Sequence, residues 1–317
     1  MSDRDHMHLA DSQGIAGGTI PGSGGQAAFS LSFPEPSPVP ILMAVPHAGR
    51  DYPPRLIGQM RHAGPAVLKL EDRLVDLVAA AVARKTGAAL LVAHAPRAMI
   101  DLNRAIDEMD WEMLASDGSP GRDGARIGRR ARSGLGLVPR RLPGLGEIWS
   151  RRLERSELDA RIEGVHKPYH EALEASMRKL RDRWGAALLI DVHSMPPLPR
   201  RLSGEKAPIF VIGDRFGATC DGTLCAAAFD ELSRLRQPAA HNRPYAGGYV
   251  LDRHSAPARG LNAIQLEICR ASYLDGRLTE PGRELDSVVE TIAVLVRRLA
   301  GEVAALGRGS QTAQAAE

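Results

Sequence analysis

The chain has 317 residues, of which 44% are hydrophobic, 25% charged and only 4% aromatic. That length can bury the core of one large or two modest domains, and the composition excludes a collagen-like, low-complexity or wholly disordered chain. Its 41 basic and 38 acidic residues leave a formal charge of +3, too dilute over this length to argue for a nucleic-acid partner. Three cysteines without a CxxC spacing argue against a disulfide framework and against a Cys-rich zinc module. No apolar run approaches the roughly 18 residues of a membrane-spanning helix, and the first 30 residues lack the apolar stretch of a signal peptide. No membrane partner is expected, and the cytoplasm is the expected compartment.

Residues 1–35 are polar and Gly-rich through GGTIPGSGGQ, the composition of a disordered or loosely attached arm. The Pro-rich FPEPSPVP (33–40) then stops any helix before the first core element. One domain is expected over 36–305, with 306–317 a frayed tail. Within it ILMAV (41–45), AALLVA (88–93), AALLID (186–191), PIFVIG (208–213) and NAIQLEI (262–268) read as strands. EDRLVDLVAAAVARKT (71–86) reads as a helix, acidic at its start and basic at its end, with one apolar stripe. Further helices are expected near 147–183, 218–235 and 282–305. Strands separated by helices predict an α/β fold, a mixed and mostly parallel sheet flanked by helices. The segment 115–146 breaks this rhythm. It is rich in Gly and Arg, including Arg122 and Arg126, and reads as a long functional or mobile loop.

Chemistry gathers where the strands end. ILMAV runs into Pro46-His47-Ala48-Gly49-Arg50, AALLI runs into Asp191-Val192-His193-Ser194, and NAIQLEI carries Glu267. In α/β sheets ligands bind beyond the carboxyl ends of the strands, so these groups can converge. Two histidines and a carboxylate form a catalytic zinc set with one position left open. Asp191 suits either a supporting contact or a structural cap. On the last strand Ala263, Gln265 and Glu267 share one face, and Ile264, Leu266 and Ile268 share the other. Arg97 and Arg104, in Pro96-Arg97-Ala98-Met99-Ile100-Asp101-Leu102-Asn103-Arg104, are planar forks for a carboxylate or an oxyanion. His241-Asn242-Arg243-Pro244-Tyr245-Ala246-Gly247-Gly248-Tyr249 adds polar groups, and its Gly pair permits a positive φ or a close backbone approach. His166 and His170 sit four apart around Pro168, which reads as a helix start packed near the site rather than a second metal site. Cys269 reads as packing, and His254 has no assigned role. No Gly-x-Ser-x-Gly elbow, P-loop or dinucleotide fingerprint occurs.

Seven strings in register, from about residue 41 to 275, resemble the N-formylglutamate amidohydrolases: VPHAGRDYP (45–53), EDRLVD (71–76), PRAMIDLNR (96–104), VHKPYHEAL (165–173), LLIDVHS (188–194), NRPYAGGY (242–249) and AIQLEICRASYLD (263–275). The resemblance implies a fold of the zinc carboxypeptidase and aspartoacylase kind, one zinc ion, and hydrolysis of N-formyl-L-glutamate to formate and L-glutamate. It implies His47 and His193 as zinc ligands, with a third ligand from EDRLVD: Asp72 first, Asp76 or Glu71 otherwise. It makes Glu267 the general base for the attacking water. Arg104, with Arg97, Asn242 and Arg243, becomes the grip on substrate and oxyanion. Other divalent metals suit such a ligand set as well. Three departures, Arg73-Leu74, the Pro-Tyr-Ala-Gly-Gly loop and the Arg/Gly-rich insert near 119–143, bear on the acyl-amino acid and not on the metal. The alternatives are a related metallo-amidohydrolase or carboxypeptidase-like enzyme for another N-acyl amino acid or peptide and, from another class, a non-catalytic binding protein on this fold.

Overall fold

The computed structural model describes residues 14–115, 129–199 and 206–314. The start of the expected arm, the stretch with Arg122 and Arg126, and the last three residues lie outside the described residues. β1 (Ile15–Gly17), β2 (Phe29–Ser32) and β3 (Ile41–Val45) precede three helices. These are α1 (Pro54–Gly58), α2 (Ala63–Leu70) and α3 (Val75–Thr86). Next come β4 (Ala89–Ala93), α4 (Arg129–Arg132) and the pair β5 (Arg141–Leu142) and β6 (Gly146–Glu147). α5 (Arg155–Arg161) runs through a π-helical turn (Ile162–His166) into α6 (Lys167–Trp184). β7 (Ala187–Met195), β8 (Phe210–Gly213), α7 (Gly222–Arg234) and β9 (Ala239–His241) follow. α8 (Tyr249–His254), β10 (Leu261–Cys269) and α9 (Leu285–Gln314) complete the order.

Eight strands form one mixed sheet in the order β1-β2-β4-β3-β7-β10-β8-β9. Its centre, β4-β3-β7-β10, is parallel, while β1, β2 and the β10–β8 pair are antiparallel. Central strands covered on both faces need apolar residues at nearly every position, and all nine residues of β7 are buried. Alternation sorts them. Leu188, Ile190 and Val192 of β7 and Ile264, Leu266 and Ile268 of β10 pack under α3, α7 and α9. Ala187 and Leu189 of β7 and Ala263 of β10 face α5, α6 and α8. Towards the carboxyl ends this second face turns polar, with Asp191 and His193 on β7 and Gln265 and Glu267 on β10. The register sets Gln265 beside Asp191 and Glu267 beside His193. No helix among the described residues is long and apolar enough to cross a membrane.

Three expectations are corrected. From residue 14 onward the supposed loose arm is built into the sheet. β2 pairs with β4, and Ile20, Ala28 and Phe29 are buried, so a few apolar side chains outweigh the Gly-rich composition. Of the expected frayed tail, residues up to Gln314 continue α9. Of the long loop, residues 129–147 include a helical turn and a strand pair.

Candidate active site

His47 leaves β3 on a turn held tight by Gly49, where a Cβ would sit 2.1 Å from the Ala95 carbonyl oxygen. The loop after β3 is thereby packed against the loop after β4, where the Asp51 N–H donates to the His94 carbonyl at 3.1 Å. The helix expected from residue 71 begins instead at Val75, after Leu74 in the left-handed region at φ 57°. Glu71 and Asp72 therefore lie in the turn between α2 and α3, and the Asp72 N–H donates to the His47 carbonyl at 2.9 Å. This places the Asp72 carboxylate against both histidines. Its Oδ2 is 3.0 Å from His193 Nδ1 and 3.6 Å from His47 Nδ1.

The other ring nitrogen of each histidine is tied to a buried carboxylate. His47 Nε2 meets Asp101 Oδ1 at 2.7 Å, and His193 Nε2 meets Asp191 Oδ2 at 2.8 Å. Such pairs fix the tautomer and turn the opposite nitrogen, as a lone-pair donor, towards one point. His47 Nδ1 is buried there without a hydrogen-bond partner, which is the condition of a ligand atom. His47, Asp72 and His193, all buried, form a group whose donor atoms lie within 4.8 Å of one another. The other two acidic candidates are engaged elsewhere: Asp76 takes both terminal nitrogens of Arg50, and Glu71 pairs with Arg73.

The electrostatics follow from burial and pairing. Burial works to raise Asp72, but its hydrogen bond to His193 and the Coulomb attraction of His193 and His47 hold it well below the usual carboxylate range. Burial works to lower His193, and Asp191 and Asp72 more than offset it. Asp101 is likewise held low against burial by Arg97, His47 and Arg104. Glu267 behaves oppositely. Burial pushes it up to about 7, with Asp72 and Asp191 adding to the rise while His193 and Arg97 oppose it. Gln265 Nε2 donates to Glu267 Oε1 at 2.8 Å, which fixes the carboxylate on the sheet face.

Of the expected grips, Arg97 pairs with Asp101 at 3.0 Å and lies close enough to feel Asp72 and Glu267. Arg104 is buried, with Nε on the Leu135 carbonyl at 3.0 Å and Nη1 on the Asn103 carbonyl. Its Nη2 is 4.0 Å from Asp101. Arg243 is exposed. Asn242 sits at φ 58° with its amide on Asp214, donating to Oδ1 at 2.7 Å and accepting the Asp214 N–H at 3.0 Å. Those bonds hold a turn. The Gly pair does what was expected of it: Gly247 sits at φ 97°, and a Cβ on Gly248 would meet Asn103 Oδ1 at 2.6 Å.

Sequence reasoning assigned no role to Asp101, although it stands within PRAMIDLNR, and left Asp191 undecided. It missed Arg270, whose guanidinium reaches Ser194 Oγ at 3.0 Å and Asp72 Oδ1 at 3.3 Å. Tyr245, one of the polar groups of the His241–Tyr249 string, has its phenol raised by burial, with Glu267 and Asp72 adding to the rise. His166 and His170 do pack beside the site. Their Nε2 atoms bond the Arg104 and Leu102 carbonyls at 2.9 and 3.0 Å, pinning the turn that carries Asp101. His254 acquires a role by bonding His170 at 2.9 Å.

The family model for N-formylglutamate amidohydrolase matches residues 39–274. The chain belongs to that family. Two relatives named N-formylglutamate deformylase, from Pseudomonas aeruginosa and Pseudomonas putida, are each 27% identical to it. Each alignment covers 85% of this chain and 94% of the relative. The solved N-formylglutamate amidohydrolase from Ralstonia eutropha JMP134 superposes with a TM-score of 0.76 at 31% identity, over 87% of this chain and 98% of that one. This member of the family is a hydrolase acting on an amide, and its buried His-Asp-His group is suited to a metal ion.

Proposed function

We propose that the protein is a zinc-dependent amidohydrolase that cleaves N-formyl-L-glutamate to formate and L-glutamate. The observation that supports this most is the convergence of His47 Nδ1, Asp72 Oδ2 and His193 Nδ1, each histidine backed by its own carboxylate, beside a Glu267 raised to about 7. The orphaned His47 Nδ1 and the mixed imidazole–carboxylate donors fit zinc, with His47, Asp72 and His193 holding it. When bound, zinc supplies Lewis acidity, lowering the pKa of a ligated water to about 7 and polarising a carbonyl.

The chain's own residues supply the rest. Glu267 accepts the proton of the attacking water as its oxygen bonds the formyl carbon. It returns that proton to the amide nitrogen as the C–N bond breaks, so formate and the free amine leave. With Oε1 held by Gln265, Oε2 is the atom that carries the proton. Arg97 and Arg104 provide the positive wall for the developing oxyanion and for the two substrate carboxylates. Arg270 holds Asp72 in place from the other side. The test is formate release from N-formyl-L-glutamate by metal-stripped protein with and without added zinc. Zinc-restored turnover is expected. Zinc uptake without formate release would reject this substrate, and a panel of other N-acyl amino acids would then decide between relatives.

A further inference from the structure

We propose that Asp214, Cys225 and His241, with a position left for water, form a second metal site for a thiophilic divalent ion such as Zn2+. The residues come from three elements. Asp214 follows β8, His241 ends β9 and Cys225 lies in α7. Cys225 Sγ is 3.1 Å from Asp214 Oδ2, and His241 Nε2 is 3.1 Å from Asp214 Oδ1. The three donor atoms lie within 4.8 Å of one another. A tetrahedral ion with arms of about 2.0 Å to N or O and 2.3 Å to S sets its ligands about 3.3–3.7 Å apart. The Cys225–Asp214 and His241–Asp214 pairs already stand within a few tenths of an ångström of that spacing.

The surroundings are those of a built site. Asp214 and Cys225 are buried, while the half-exposed His241 side chain leaves a way in from solvent. Asp214 is oriented from behind by Asn242 Nδ2 at 2.7 Å and the Gly217 N–H at 3.0 Å, the outer contacts that ligating carboxylates commonly have. This gives Asn242 its purpose. Thiol, imidazole and carboxylate together select zinc or cobalt over magnesium or calcium. Binding forms one metal–sulfur bond and sends the thiol proton to water. None of these residues belongs to the His47–Asp72–His193 group, so the inference stands apart from the proposed activity.

The experiment titrates metal-stripped, full-length protein with Co2+ and follows the near-ultraviolet sulfur-to-cobalt charge-transfer band. The catalytic group contains no sulfur and cannot produce that band. A saturable band and two bound ions per chain are expected. The Cys225→Ser variant should lose the band, and His241→Ala should weaken binding on the order of tenfold. Should Cys225→Ser not fold, the exposed His241 position decides alone. A saturated wild-type protein without the band overturns the site, as does a band whose midpoint is unmoved by His241→Ala or that survives Cys225→Ser.

Discussion

Glu267 and Asp101 are both buried carboxylates, yet their environments drive them apart. Asp101 lies between Arg97 and His47 and stays ionised, whereas Glu267 is pushed up to about 7 chiefly by burial. A carboxylate near 7 can both take and give a proton at neutral pH. Replacing it by the near-isosteric amide removes that exchange and leaves the Gln265 contact largely in place. Glu267→Gln is therefore expected to lower kcat by roughly 100- to 10,000-fold, with metal content unchanged. Less than a tenfold loss in single-turnover assays would remove Glu267 from the chemistry. Asp101→Asn should act differently, because it disturbs the partner of His47 Nε2 and not the nucleophile. Metal affinity, read by chelator competition, is expected to fall about 10- to 100-fold. Unchanged affinity would show that the His47–Asp101 pair does not tune the ligand.

At the scale of elements, the π-helical turn and the start of α6 form a buried histidine layer. His166, His170 and His254 all sit against one another or against carbonyls, and burial lowers all three, His254 to about 3. Arg253 pushes each in the same direction, while the Arg104 and Leu102 carbonyls favour the charged forms of His166 and His170. These groups resist protonation in the fold, whereas in the unfolded chain each takes a proton below about pH 6.5. The unfolded state then binds more protons, so stability falls as pH falls from about 6.5. The slope approaches about 4 kcal/mol per pH unit if all three contribute fully, reduced by about 1.4 because Glu267, raised to about 7, takes up a proton in the fold before it does in the unfolded chain. His193 is raised, so it is protonated in both states below about 6.5 and adds no slope there. Urea denaturation at pH 7.5, 6.5 and 5.5 checks this, and equal unfolding free energies across that series would sink it. The same elements show what was legible in the sequence. β3 and β7 announced themselves by apolar runs and β10 by alternation, and His47, His193 and Glu267 drew attention as the polar groups at or just beyond the carboxyl ends of those strands. Asp72 could not be separated from its acidic neighbours, because only the left-handed Leu74 delays the helix and turns that carboxylate inward. Asn242 looked like a substrate contact because its partner Asp214 is 28 residues away.

For the molecule as a whole, the N-terminal strands show how composition can hide a structural part. GGTIPGSGGQ reads as a loose arm, but Phe29 crosses Tyr169 of α6 edge-on, with ring centroids 5.8 Å apart. The Ala28 carbonyl accepts the N–H groups of His94 and Ala95, on the loop that leads to Arg97 and Asp101. The first described strands thus cover the β4 edge and brace the approach to the site at once. Phe29 is 4% exposed, and cutting it to Ala would leave a cavity between β2 and α6. The expected cost is about 3–5 kcal/mol, a large share of the roughly 5–15 kcal/mol by which domains are stable. A loosely attached arm makes the opposite prediction, a change within about 0.5 kcal/mol, as for surface substitutions. Denaturant midpoints of wild type and Phe29→Ala separate the two. If the arm is structural, Phe29→Ala should unfold at lower denaturant with an unchanged slope, since the same surface is still exposed on unfolding. Added zinc should raise both midpoints, because an ion bound only by the native state stabilises whichever fold still assembles the His47–Asp72–His193 group.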